Sequence, residues 1–599
     1  MTRHGFVGFV GASAQTVDAF QAQSKREGGR VDRLFADETC TVFGLGGEGS
    51  VLRSWSDGGR FAVAFGSSSR FLSPESPSLL LRPLAERGSI ASEVADLVAL
   101  VVETGTVKAL TGNGAHRLFR RELSAGGCVV STSLALAAEA ETSATVDRTH
   151  EDFFLGFGFF PDRKTMFAGV TELPASSIGG VVGEETQRVE IEASMSDSND
   201  MNADLLERLL AATERQSKDV EHCAVFLGGF DSALVCALLK KLGKRVTAYT
   251  FDFDNPRFNQ THTETVASFL GIERRLVRID VERMRTGIRN LPWILNSPGA
   301  QPHYQLHTVF AAEDMQRDGL TTAFTGDGCD ALFLGYPTVR ARSTLISRLR
   351  NMPDYAMSGA IGFLSMGWME QRLGHVARTA RSVLRASMLG YPASGHLPTQ
   401  YLDPVSLTRL RSTDTPTQFE PVDEIRKRLA SGLEDTDPTL LAFLGNAATG
   451  ASRLKVDGAI MHTGVAQFTP FKDPAVVRFV SSLPRSALLP DRSTRHDLGK
   501  RHLIDSVLGA GLLPDEVVLQ PKQSPVTSPI DYWYMSELRS DILELLGSLP
   551  FQWDRGYVEN LLRPKVAEEW YRNHIALSPH ALQAIGLLVS YASFCRIAD

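Results

Sequence analysis

Short apolar runs broken by Gly, Ser, Asp and Asn fill the first 180 or so residues: GFVGFVG (5–11), TVFGLGG (41–47), RFAVAFG (60–66) and GCVVSTSLAL (127–136). Runs of this length between turn formers predict strands, and their density predicts packed sheets. The opening run is interrupted by glycines and turns polar within a dozen residues, which reads as a buried strand rather than a signal peptide. From 191 to 203 the stretch IEASMSDSNDMNA is polar and rich in Ser, Asp and Asn, and it marks a boundary. Residues 1–190 therefore read as one domain, 191–203 as a linker and 204–599 as a second domain.

After that boundary the pattern changes. LLERLLAATERQ (205–216) has apolar residues at helical spacing. AVFL (224–227), VTAYTF (246–251) and RLVRID (275–280) predict strands, and Asp231 to Lys241 and ETVASFLG (264–271) predict the helices between them. Such alternation predicts a doubly wound parallel sheet. Residues 340–450 read as mainly helical and rich in arginine, including Arg340, Arg342, Arg348, Arg350, Arg378, Arg381 and Arg385. Solvated helix faces are the plain explanation, and a cleft for an acidic substrate or peptide the sharper one. No internal repeat or low-complexity tract interrupts the chain.

Composition narrows the class. The 599 residues are 43% hydrophobic and 22% charged, and 62 basic against 69 acidic residues give a net charge of −7. This profile excludes a disordered chain and gives no support to a mainly electrostatic nucleic-acid binder. No stretch approaches the roughly 20 apolar residues of a membrane span. Cys40, Cys128, Cys223, Cys236, Cys329 and Cys595 lie far apart without CxxC spacing, so neither a zinc site nor a disulfide framework is expected. The expectation is a cytoplasmic protein with no nucleic-acid or membrane partner.

Three segments carry candidate chemistry. In VFLGGFDSALVCALLKKLG (225–243) a strand runs into Gly228 and Gly229, whose bare backbone can approach phosphate oxygens, and then into a helix N-terminus suited to anions. Asp231 and Ser232 follow, a carboxylate able to hold Mg²⁺ and a hydroxyl able to touch phosphate. A plain strand-to-helix turn with an Asp cap would look the same. In FTGDGCDALFLGYP (324–337) a second strand ends in glycines and two acids, Asp327 and Asp330, as at the carboxyl edge of a parallel sheet. Late in the chain stand Lys500 and Lys522, the latter in a PKQSP loop that its prolines keep from being helical. A lysine on such a loop can offset developing charge, although a surface lysine would also satisfy the pattern.

Together these segments resemble the asparagine synthetase family over nearly the whole chain. Its SGGxDS loop is matched by Leu227-Gly228-Gly229-Phe230-Asp231-Ser232. Its second signature is matched by Thr325-Gly326-Asp327-Gly328-Cys329-Asp330-Ala331-Leu332-Phe333-Leu334-Gly335-Tyr336. Gly499-Lys500, Leu512-Leu513-Pro514, Val517, Pro521-Lys522-Gln523, Pro529 and Trp533 echo its late stretch, and TPFKDPAVVRFVSSLP (469–484) echoes its PFLD segment. The resemblance implies an α/β protein with an N-terminal glutaminase-like, Ntn-type αββα sandwich. A doubly wound synthetase domain of the ATP-pyrophosphatase (PP-loop) type, with helical additions, would follow. It implies ATP at Phe226, Gly228, Gly229, Asp231, Ser232, Phe251, Thr325 and Gly326, and Mg²⁺ at Asp231 and Asp330. Lys500, Asp327 and Lys522 would then act on the reacting groups.

The departures are informative. Glutamine-using members begin Met-Cys-Gly, whereas this chain begins Met1-Thr2-Arg3-His4-Gly5, and Leu227 and Ala331 replace a family Ser and acid. Ala466 and Phe468 stand where many members carry E-x-R. A retained front fold without glutaminase activity is expected, so the nitrogen nucleophile would be a substrate amine. Members of this kind are chiefly lasso-peptide macrolactam cyclases and β-lactam or carbapenam synthetases; the latter usually carry Tyr at the Asp327 position. The expectation is thus a lasso-peptide cyclase that adenylates an Asp or Glu side chain of a precursor peptide and closes a macrolactam with its α-amine. A leader peptidase or recognition protein is its expected partner. The alternatives are a β-lactam-type synthetase and a non-catalytic scaffold.

Overall fold

The computed structural model describes residues 4–26, 31–46, 51–57, 60–72, 89–91, 96–103, 105–112, 116–140, 144–161, 163–182, 187–188, 190–192, 201–253, 260–333, 335, 345, 348–349, 351–366, 369, 375–388, 401–411, 419–423, 451–483, 488, 500–520, 529–563, 565–566, 575–576 and 579–598. The first part is built from strands β1 (Gly5–Val10), β2 (Val31–Ala36), β3 (Cys40–Leu45), β4 (Leu52–Asp57), β5 (Arg60–Phe65), β6 (Ser89–Ala91), β7 (Val98–Glu103), β8 (Thr106–Thr111), β9 (Phe119–Glu122), β10 (Cys128–Ser131), β11 (Val170–Glu172), β12 (Ser177–Gly180), β13 (Gln187–Arg188) and β14 (Glu190–Glu192). They form two six-stranded sheets, β11-β9-β10-β1-β3-β2 and β13-β12-β8-β7-β5-β4, and β14 pairs with β6 alone. The pairings within both large sheets are antiparallel.

Alternating side chains decide how these sheets pack. Phe6, Val10, Val42 and Val130 of the first sheet share one buried cluster with Phe61, Val63, Phe65, Leu100 and Val102 of the second. The other face of the first sheet places Val7, Phe9, Phe43 and Val129 against Val17 and Phe20 of the helix Ala14–Arg26 and Leu136 of the helix Leu134–Glu139. Two sheets and one helical layer are therefore seen among the described residues, and β1 is buried along its whole length.

The second part centres on β15 (His222–Phe226), β16 (Arg245–Asp252), β17 (Glu273–Arg278), β18 (Thr322–Phe324) and β19 (Ala466–Phe468). Their order is β17-β16-β15-β18-β19, with every pair parallel. From β15 the chain crosses through the helix Phe230–Lys241 to β16 on one side; later it crosses through the helix Pro302–Arg317 to β18 on the other. The order reverses between β15 and β18, and a crevice for ligands forms outside the carboxyl ends of strands at such a switch point. β15 leads through Leu227 into Gly228 and Gly229, and β18 leads into Thr325 and Gly326, so the topology sets the two candidate loops side by side.

The arginine-rich region contains the helices Asp354–Leu364, His375–Met388 and Pro404–Leu410. Arg348 is exposed, but Arg381 is fully buried, with Nη2 2.6 Å from Asp403, and Arg385 is nearly so. At these two positions neither a solvated face nor a substrate cleft is found: the charges are used inside the fold, where an unpaired Asp403 would be costly. Arg340, Arg342 and Arg350 lie outside the described residues. No helix among the described residues is long and apolar enough to cross a membrane.

Candidate active site

The first loop is held by its own serine. Gly228 and Gly229 N–H groups donate to Ser232 Oγ at 3.0 and 3.2 Å, and that hydroxyl donates to the Gly229 carbonyl at 2.9 Å. A Cβ added to either glycine would meet nothing within 4 Å, so the space beside this backbone is open. Asp231 lies in the first turn of the helix Phe230–Lys241, where the aligned peptide dipoles favour negative charge. Leu227 is buried in the core, and its N–H bonds to the Tyr249 carbonyl at 2.9 Å.

The second loop is pressed onto the first. A Cβ on Gly326 would lie 2.7 Å from Asp231 Cβ and 2.8 Å from the Ser232 backbone nitrogen. Only glycine permits that approach. Thr325 N–H donates to the Phe468 carbonyl at 2.9 Å, and Thr325 Oγ1 accepts from Asp327 N–H at 3.0 Å. The turn passes through Gly328 at φ +97° into the short helix Cys329–Leu332, which carries Asp330.

Lys500 joins the two loops. Its Nζ lies 2.5 Å from Asp231 Oδ1 and 2.6 Å from Asp330 Oδ1. The residue adopts a left-handed conformation (φ +54°), with its N–H on the Phe333 carbonyl, at the start of the helix Arg501–Gly509. Burial alone would favour the neutral amine, but Asp231, Cys329 and Asp330 hold the ammonium charged far above the usual lysine range. Burial likewise pushes Asp231 up, while Lys500 pulls against it. Two carboxylates thus converge on one cation and share a single neutralising charge.

Among the described residues no three His, Cys, Asp or Glu side chains gather as a metal cage. Mg²⁺ is commonly bound through one or two carboxylates with phosphates and water completing the shell, and Asp231 and Asp330 fit that donor set.

Asp327, on the same loop, faces elsewhere. Its Oδ1 lies 3.3 Å from Lys455 Nζ, and its carbonyl accepts from Thr469 Oγ1 at 2.8 Å. Burial would raise its carboxyl, yet Lys455 and Lys472 together with hydrogen bonds from Lys455 and Thr325 hold it below the usual range. Phe226 ends β15, and Phe251 lies near the end of β16, its ring 5.6 Å from that of His307. His307 is buried, with Nε2 unbonded, and desolvation, His303 and Lys455 keep it neutral.

The structure therefore brings together Gly228, Gly229, Asp231, Ser232, Thr325, Gly326, Asp330 and Lys500, with Asp327 one step away. Lys522 lies outside the described residues. Lys455 escaped the sequence reading; its one signal is a lysine two residues before an aspartate in the helical stretch RLKVDGAIM, just before the PFKD stretch. In the front part, burial, Asp37 and Cys128 push the Cys40 thiol up to about 12, and burial raises Cys128 despite Arg120.

A five-stranded parallel sheet with an acid-lysine cluster at its switch point defines an α/β protein of the doubly wound kind. The chain belongs to the asparagine synthase family, whose pattern matches residues 204–592. Over 396 residues it is 22% identical to proteins of Mycobacterium bovis and Mycobacterium tuberculosis assigned by inference as asparagine synthetase (glutamine-hydrolyzing), covering 63% of this chain and 57% of theirs. Over 154 residues it is 29% identical to amidase chry2 of Gibberella zeae, covering 23% of each. The chain spans less than two thirds of the length of each of these relatives.

Proposed function

We propose that the protein is an ATP-dependent, AMP-forming amide ligase whose reaction takes place at the β15–β18 edge. The observation that carries this reading is the buried Asp231–Lys500–Asp330 cluster beside the open backbone of Gly228 and Gly229. The diglycine turn and the helix N-terminus receive the phosphates, with Thr325, Gly326, Phe226 and Phe251 around the nucleoside. Asp231 and Asp330 would hold Mg²⁺, which would supply charge neutralisation on the phosphates.

A substrate carboxylate oxygen attacks the α-phosphorus, the bond to the β-phosphate oxygen breaks, and pyrophosphate leaves. Lys500, a fixed cation, offsets the charge that grows on the phosphates. A substrate amine then attacks the acyl-adenylate carbonyl, AMP leaves, and the amine's proton passes to solvent. That amine has an ordinary pKa of about 7.7–8.0. An Asp327 carboxyl held low by Lys455 is a poor match as a base for it but a good anion to orient it. Lys522 is proposed to stabilise the tetrahedral oxyanion.

The finer reading is a lasso-peptide cyclase. The carboxylate is an Asp or Glu side chain of a precursor core peptide and the amine is that peptide's own N-terminus. The front part is then a glutaminase-like fold without glutaminase chemistry, and a leader peptidase or recognition protein delivers the peptide. Leu227 and Ala331, which motivated a non-catalytic scaffold, are core side chains, so these departures leave the acid-lysine cluster intact.

Incubating the full chain with Mg²⁺, ATP and a linear core peptide should yield AMP, pyrophosphate and a product lighter by one water. Release of ADP would contradict the adenylate step, and an amide formed only with glutamine would contradict the front-domain reading.

A further inference from the structure

The front part grips the synthetase part through a fully buried polar network. His116 and Asp457 are 2% and 1% exposed, and His116 Nδ1 lies 3.3 Å from Asp457 Oδ1. Asp457 Oδ2 accepts from Asn296 Nδ2 at 2.9 Å and lies 3.6 Å from Arg117 Nε. Burial would raise the Asp457 carboxyl, but His116, Arg117 and Asn296 hold it down as an anion. The Ser67 N–H donates to His116 Nε2 at 3.3 Å, which leaves Nδ1 to carry the ring proton toward Asp457. Ser67 Oγ donates to the Gln467 carbonyl at 2.7 Å and accepts from its N–H at 3.0 Å. One imidazole therefore ties together two grips from the front part.

Both grips end one step from the active edge. Asp457 and Lys455 share the helix Ala451–Thr463 and lie two residues apart, which points them to nearly opposite faces. One face meets His116; the other places Lys455 on Asp327 at 3.3 Å. Gln467 lies on the edge strand β19, next to Phe468 and Thr469, whose groups bond Thr325 N–H and the Asp327 carbonyl. A Cβ on Gly458 would fall 2.9 Å from Leu295 Cδ2 and 3.1 Å from the Ile294 carbonyl, so this helix is closely seated and has little room to shift.

We propose that the front part, whatever its ancestry, is a positioning element: His116, through Asp457 and Ser67, fixes the helix and edge strand that set Lys455 against Asp327. His116, Ser67 and Asp457 are positioning residues, and they touch no reacting group. The importance of the Lys455–Asp327 pair rests on the proposed active edge, but the coupling itself is testable without turnover.

The test is the rate at which limiting acetic anhydride acetylates Lys455 in the full chain at neutral pH, read by peptide mass spectrometry. Loss of the Asp327 partner frees the amine from its ion pair, so His116→Ala and Asp457→Asn should each raise the Lys455 rate about threefold, the scale of losing one such pair. Ser67→Ala, which removes only one small hydroxyl, should act in the same direction and serves if the larger changes prevent folding. Buried Lys500 and exposed Lys240 should keep their wild-type rates. A Lys455 rate unchanged in folded variants would overturn the proposal, as would an equal rise at Lys500, which would mean general loosening. Failure of the ligase reading alone would leave these rates as stated.

Discussion

At the scale of a single residue, Lys500 joins the two loops. Its ammonium is the shared partner of two carboxylates in a buried place, and removing one member of such a cluster leaves the others charged without a counterion. Lys500→Ala should lower stability by about 3–5 kcal/mol, read as a fall in the urea midpoint at unchanged slope. The same variant should lose pyrophosphate release from ATP. A variant with wild-type stability would mean that Asp231 and Asp330 are kept apart by something other than this lysine.

At the scale of elements, the site depends on two loops from different strands being in contact. Gly326→Ala tests that contact, because the new methyl would press on Asp231 Cβ and on Ser232 backbone, which cannot swing aside. The expected outcome is a loss of about 1–3 kcal/mol in denaturant unfolding, as for overpacking, together with weaker binding of a methylene ATP analogue. Much of this architecture was legible from local pattern. VTAYTF and RLVRID became β16 and β17 with shifted ends, and the Gly228-Gly229 and Thr325-Gly326 breaks fell after the strands that meet at the switch point. What the pattern did not disclose is long-range. His116 and Asp457 are 341 residues apart and Ser67 and Gln467 are 400, and periodicity reports only which face of an element is buried, not what covers it. Arg381 failed for a related reason: an arginine on an amphipathic helix reads as solvated until its buried Asp403 is seen.

For the whole molecule, one hydrophobic cluster spans both parts, running from Phe6 and Phe65 through Leu205 and Val235 to Val480 and Val517. The two parts should therefore respond together to acid. Burial pushes the His303 imidazole down to about 3, whereas an unfolded histidine titrates near 6.5. Between these values the unfolded chain binds the extra proton, so stability is complete above the unfolded pKa and falls as pH drops below it. For His303 alone the loss by pH 5 is about 2 kcal/mol, from 1.36 kcal/mol per unit. His307 and His4, also lowered by burial, add to it. Urea midpoints taken between pH 7 and pH 5 should fall, and His303→Leu should flatten that slope; an unchanged slope would mean that His303 is protonated inside the fold.

The most direct test of the central claim follows oxygen. With a core peptide whose side-chain carboxylate carries heavy oxygen, Mg²⁺ and ATP, attack on the α-phosphorus and later release of AMP must transfer one labelled oxygen to AMP. Labelled AMP should appear alongside the closed amide; label in inorganic phosphate, or amide formed with unlabelled AMP, would contradict adenylation of the carboxylate.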